Sequence, residues 1–226
     1  MIEPRRPRNL WVIDPSIHHP EDQGVAQVLR GFEGGSRVFR PSLDPKDGPR
    51  AGDGYDAAGV VLLGSGASVH EDLPWLRELS RWLRPLLDGA RELPVLGICF
   101  GHQLIAHLGG AAVGDLREDG SKELGARETR VDGWTLLPGC HDLRVIASHR
   151  EEVKTVPEGY RVVARRPEVR IDGLEHRRLP ITTFQFHPEA RGEFASRQGL
   201  TASTVDARLI RDSDLVLEAF RRRVTG

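Results

Sequence analysis

Residues 95–103 read Val95-Leu96-Gly97-Ile98-Cys99-Phe100-Gly101-His102-Gln103. The first four form a short aliphatic run of the kind that makes a parallel strand buried on both faces. The apolar stretch over residues 102–108 reads as a helix. Between the two sits a cysteine with a glycine two residues away on either side. A chain that turns abruptly from strand to helix strains that central residue, and small neighbours keep the turn clear of both elements. The turn presents the thiol at the strand's end, over a helix N-terminus whose partial positive charge favours a thiolate. It also leaves the N–H of Phe100 free to face a developing oxyanion. Cys99 is therefore the candidate nucleophile, whereas Cys140 lacks this context and reads as structural.

Working outward, residues 10–14 and 37–40 read as strands, and residues 21–30 as a helix ended by Gly34-Gly35. Residues 41–54 carry three prolines and three glycines and read as a loop. A second buried strand over residues 59–63 ends in Gly64-Ser65-Gly66. Trp75, Leu76, Leu79, Trp82, Leu83, Leu86 and Leu87 keep the i, i+3, i+4 spacing of one helical stripe, stopped by Gly89. Strands alternating with helices predict a three-layer αβα, flavodoxin-like fold with a mostly parallel sheet. Beyond Gly110 the pattern shifts to short strands, at 127–131, 144–147, 160–164 and 181–186, which predicts an antiparallel portion. Residues 205–220 read as a C-terminal helix. No linker divides the chain, so residues 1–226 are expected to form a single domain.

Composition narrows the function. Apolar residues make up 38% and charged residues 29% of the 226, ordinary for a soluble domain. A chain of this length buries roughly 70–75% of its unfolded surface, enough for a core without staples. Lys+Arg 32 against Asp+Glu 33 gives a net charge of −1, so no global field draws in nucleic acid or an anionic membrane. The N-terminus is basic (Arg5, Arg6, Arg8), but the apolar run behind it is too short for a signal peptide, and no run approaches a membrane span. Two cysteines suit neither a disulfide scaffold nor a zinc site. A cytoplasmic location is the expectation.

A nucleophilic cysteine needs a base, and the base an orienting group. Residues 184–189 read Phe184-Gln185-Phe186-His187-Pro188-Glu189. His187 follows a strand, at the end where ligands bind in open α/β sheets. Glu189 lies two residues on, close enough to orient the imidazole. The remaining histidines have blander explanations: His102 and His107 in helix packing, His18-His19, His70, His141 and His176 in solvated turns. No histidine, cysteine and aspartate constellation suggests a metal, and residues 31–35 lack the Lys-Ser/Thr ending of a phosphate loop, so no cofactor is expected.

Gly97-Ile98-Cys99-Phe100-Gly101-His102-Gln103 with Phe186-His187-Pro188-Glu189 resembles a class I glutamine amidotransferase domain. Gly64-Ser65-Gly66-Ala67-Ser68-Val69 falls where that family has its oxyanion loop, though the family more often has Gly-Gly-Pro there. Ser148-His149-Arg150-Glu151-Glu152-Val153, followed by Pro157-Glu158-Gly159, is most similar to the amidotransferase domain of GMP synthases. The resemblance implies that Cys99 attacks the side-chain amide of glutamine and that His187, oriented by Glu189, transfers protons. It implies an oxyanion hole from the N–H groups of Phe100 and of Ser65 or Gly66. It also implies that Gln103, Ser148 and His149 contact the amino and carboxylate ends of the substrate. The expected function is glutamine hydrolysis that supplies ammonia to a separate synthase. A stand-alone γ-glutamyl hydrolase would use the same three residues, and a non-catalytic regulatory domain would need none of them.

Overall fold

Alternating side chains on the first strand separate the two faces of the sheet. Leu10 and Val12 enter one apolar layer, Trp11 and Ile13 the other. The structure, a computed structural model, describes residues 9–50, 52 and 54–225, so the basic Arg5, Arg6 and Arg8 lie outside the described residues. The chain runs through β1 (Leu10–Ile13), α1 (Asp22–Leu29), β2 (Ser36–Phe39), β3 (Gly59–Leu62), α2 (Pro74–Leu87), β4 (Val95–Ile98) and α3 (Phe100–Leu108). It continues through β5 (Val113–Asp115), β6 (Glu123–Asp132), β7 (Cys140–His149), β8 (Glu151–Val153) and β9 (Tyr160–Arg165). It ends with β10 (Gly173–His176), β11 (Ile181–Phe184), α4 (Gly192–Arg197) and α5 (Ala207–Thr225).

The main sheet has nine strands in the order β2-β1-β3-β4-β11-β10-β9-β6-β7. The first five are parallel, and from β11 onward every pairing is antiparallel. The parallel part follows the flavodoxin-like order, with β11 as its fifth strand. The strand-rich second half extends the same sheet, as the sequence predicted. Helices α2 and α3 pack on one face, where Trp75, Leu79, Trp82, Leu83, Phe100 and Ile105 are buried. Helices α1 and α5 cover the other through Val25, Val28, Val216, Leu217 and Phe220. Trp82 is fully buried and stacks between Trp11 and Tyr55, at centroid distances of 5.9 and 5.3 Å.

Gly97 and Gly101 let α3 press against the sheet directly after β4. A Cβ on Gly101 would stand 2.3 Å from the Leu62 carbonyl oxygen, and one on Gly97 would stand 2.8 Å from the Gly101 carbonyl oxygen. Both obstacles are backbone, which cannot rotate away. Gly101→Ala should therefore destabilise the fold by roughly 3 kcal/mol through overpacking. A fall in the denaturant midpoint at unchanged slope checks this.

Several elements differ from the sequence reading. Helix α3 starts at Phe100 rather than 102, because the turn at Cys99 is a single residue. Strands β6 and β7 are ten residues each, paired along their whole length, longer than their apolar centres suggest. Strands β5, β8 and β10 and helix α4 have no counterpart in that reading. Each is three to six residues long, too short to show periodicity. No helix among the described residues is long and apolar enough to cross a membrane.

Candidate active site

The register of two neighbouring strands brings the cysteine and histidine together. β4 and β11 pair in parallel with Ile98 opposite Phe184, and the N–H of Cys99 donates to the Phe184 carbonyl at 2.8 Å. Cys99 thus leaves the sheet at the same height at which β11 ends. Its backbone sits at φ 51°, ψ −101°, the one positive φ outside glycine among the described residues. A non-glycine residue held there is strained, and such strain persists only where the surroundings enforce it. Three residues past β11, the N–H of His187 donates to the Ile146 carbonyl at 2.9 Å, which ties this turn to β7.

His187 and Glu189 are both buried, and Nδ1 of His187 lies 2.7 Å from Oε1 of Glu189. The imidazole packs on Phe194 of α4. Nε2 of His187 has no conventional hydrogen-bond partner among the described residues. Burial alone would push His187 toward its neutral form, but the Glu189 carboxylate and the Cys99 sulfur outweigh it and hold the pKa well above the ordinary imidazole value. Gly64 makes room for this ring, since a Cβ there would stand 2.8 Å from Cε1 of His187. A nucleophile, a proton carrier with one free ring nitrogen and an orienting carboxylate therefore meet in one place, the arrangement acyl transfer requires.

They face a cavity of about 430 Å³, also lined by Ser65, Gly66, Ser148 and the charged Glu21, Lys122, Arg150 and Arg197. Ser65 is anchored by its hydroxyl, which donates to the Pro15 carbonyl at 2.7 Å. Among the described residues, neither the Ser65 nor the Gly66 N–H donates to a backbone carbonyl. Phe100 is the first residue of α3, so its N–H has no partner within the helix.

Gln103 and His149 lie elsewhere. Gln103 is buried beneath the elbow and donates through Nε2 to the Glu151 carbonyl at 2.7 Å and to Oε1 of Gln185 at 3.2 Å. His149 belongs to a buried ionic network. Its Nδ1 donates to the Glu151 carbonyl at 3.0 Å, and its Nε2 lies 2.9 Å from Nη2 of Arg166. Arg166 in turn bridges Glu123 and Asp172, at 2.8 and 3.2 Å. Burial alone would raise Glu123, yet His149, Arg166 and Arg127 hold it down to about 2. The reason is strand alternation: Ser148 and Arg150 point into the cavity, and His149 between them points away. The same rule sends Glu123 into the network and its neighbour Lys122 into the cavity. His102 is structural, as the sequence suggests. Burial lowers its pKa to about 3, and it bonds Thr183 Oγ1 at 2.7 Å and the Ile171 carbonyl at 3.2 Å.

Glu21, Lys122, Arg150, Arg197 and Gln198 line the cavity, although no sequence motif singles them out. Lys122 carries one signal, being one of three lysines in a chain rich in arginine. Glu21 is pushed up to about 7, first by burial, then by the Glu189 charge, against the pull of Arg197 and His187. A carboxyl whose folded pKa exceeds its unfolded value loses stability as pH rises between the two, here from about 4.5 to about 7. Glu21→Gln should thus gain thermal stability relative to the parent as pH rises from 5 to 8, with little difference at pH 4. A difference in melting temperature that stays constant over that range would refute this.

Residues 44–206 match the family model for glutamine amidotransferase class-I. The glutamine-hydrolysing subunit of the GMP synthase of Methanopyrus kandleri is 36% identical over 137 residues, covering 60% of this chain and 68% of that protein. Its counterpart in Thermococcus kodakarensis is 41% identical over 100 residues, covering 43% of this chain and 52% of that protein. Against the longer GMP synthase of Gibberella zeae, the match spans 24% of its length. Among solved structures, a glutamine amidotransferase from Thermotoga maritima superposes with TM-score 0.77 at 18% identity, covering 97% of this chain and 99% of that one. One from Methylobacillus flagellatus gives 0.75 at 19%, covering 96% and 95%. The structural likenesses speak for the fold alone, while the family model takes in both Cys99 and Glu189, and on that match this chain belongs to the class I glutamine amidotransferases.

Proposed function

We propose that this chain hydrolyses the side-chain amide of glutamine through a γ-glutamyl thioester on Cys99 and passes the ammonia to a separate synthase. The observation that carries the reading is the meeting of a strained cysteine with a buried, carboxylate-held histidine in one cavity. The Cys99 sulfur attacks the amide carbon as the thiolate, its proton resting on His187. The oxyanion that forms is held by the N–H of Phe100 and that of Ser65 or Gly66. His187 Nε2 gives its proton to the amide nitrogen, the C–N bond breaks, and ammonia leaves. Neutral His187 then takes a proton from water, whose oxygen attacks the thioester carbonyl. The C–S bond breaks, the thiolate returns, and glutamate departs with its carboxyl proton lost to solvent. Glu189 holds the imidazole ring and stabilises its charge throughout.

The continuous nine-stranded sheet supports a single domain as the carrier of this chemistry. Relatives named as one subunit of a glutamine-hydrolysing GMP synthase support a separate ammonia acceptor. The unpaired, exposed Cys140 suits the reducing cytoplasm. The test is steady-state ammonia release from glutamine and from a panel of γ-glutamyl compounds, with and without candidate synthases of the same genome. Weak release from glutamine that rises ~10²–10³-fold with a synthase, the worth of one completed oxyanion donor, supports the reading. Full turnover alone, higher on γ-glutamyl peptides, would replace it with a stand-alone hydrolase.

A further inference from the structure

Two cations face the cavity without a counter-ion. Among the described residues no carboxylate pairs with Lys122 or Arg150, although most arginines near them are bridged. Both reach the cavity by strand alternation, Lys122 just before β6 and Arg150 just after β7, so adjacent strands aim them at the same space. Lys122 is fixed in place: its Nζ donates to Oε1 of Gln198 at 2.6 Å, and the Ser148 hydroxyl lies 3.4 Å from that same oxygen.

From this placement we infer that Lys122 and Arg150 form the carboxylate-recognition pair of the site, receiving the α-carboxylate of a glutamyl substrate whose side-chain amide lies at Cys99. The inference rests on the proposed function for the kind of substrate and adds which side chains select it. Burial lowers the Lys122 pKa, and the neighbouring Arg150 adds to that, while the Cys99 sulfur opposes it. Two like charges held together and half removed from water are costly, and an incoming anion relieves both costs. The Cys99 sulfur cannot serve as that anion throughout the cycle, because its charge is lost once the thioester forms. A bound carboxylate keeps its charge throughout. Glu21 lies across the same cavity near Glu189 and His187, which leaves Lys122 and Arg150 as its basic wall.

The test uses the intact chain carrying Cys99→Ala, which holds substrate unreacted, and isothermal titration with L-glutamine and with L-glutaminamide, whose α-carboxylate is replaced by a neutral amide. The expected result is glutamine binding ~10–100-fold tighter than glutaminamide, the range for a lost charge-assisted hydrogen bond. Adding Lys122→Met should weaken glutamine by a similar factor while leaving glutaminamide within about 3-fold, and Lys122→Arg should restore most of the preference. Equal weakening of both ligands would mean a merely structural lysine and overturn the inference. A preference left intact by Lys122→Met would assign the lysine to the sulfur instead and also overturn it, as would absence of binding by either ligand. The proposed function fails by a separate sign, the absence of ammonia release by the unmutated chain with its synthase.

Discussion

Replacing Cys99 with alanine is expected to abolish ammonia release from glutamine, a loss of at least ~10⁴-fold, because no other side chain at the elbow can make the thioester. The β4–α3 turn holds residue 99 at φ 51°, and the glycines that permit it are untouched by the change. Alanine at 99 also removes the sulfur, one of the two groups that hold His187 well above its ordinary pKa. Cys140, exposed on β7 and away from the cavity, is the control, and Cys140→Ala should leave turnover nearly intact. Quenched-flow or steady-state assays on both variants check the pair. An active Cys99 variant beside a dead Cys140 variant would overturn the assignment.

The second large effect falls on proton transfer. His187→Ala should lower the rate by ~10⁴-fold or more, since ammonia would then leave without a proton donor. Glu189→Gln should cost less, because an amide oxygen can still accept from Nδ1 and hold the ring. It removes the charge that outweighs burial, however, so the His187 pKa should fall. Below that pKa the imidazolium is available as the acid, and above it the proton donor is lost. The alkaline limb of the rate profile should therefore move to lower pH in Glu189→Gln. Negligible effects in both variants would sink the three-residue arrangement.

The elbow is legible in the sequence because its chemistry depends on chain neighbours: two glycines, an aliphatic run before and an apolar helix after. The same holds for α2, whose stripe is a local period. His187 is legible for a related reason, lying between the aromatic pair Phe184 and Phe186 and the carboxylate of Glu189. The walls of the cavity are not. Lys122, Arg150 and Gln198 come from the ends of β6, β7 and α4, and only the folded register brings them together. His149 shows the limit most clearly. Its segment does reach the cavity, yet a one-residue phase decides which side chain faces it, and that phase is set by pairing with β6. The buried network of Glu123, His149, Arg166 and Asp172 spans three strands and the turn before β10, with no local trace in any of them.

The hydrogen bond from Cys99 N–H to Phe184 gives the site a spectroscopic reporter. That amide lies between two central, fully buried strands, so deuterium can reach it only when β4 and β11 part. Their separation would also pull the sulfur away from the imidazole. The exchange rate of one backbone proton thus measures how often the catalytic geometry comes apart, even with no substrate present. It also ties the enzyme's working lifetime to opening at the centre of the sheet rather than to fraying at its edges.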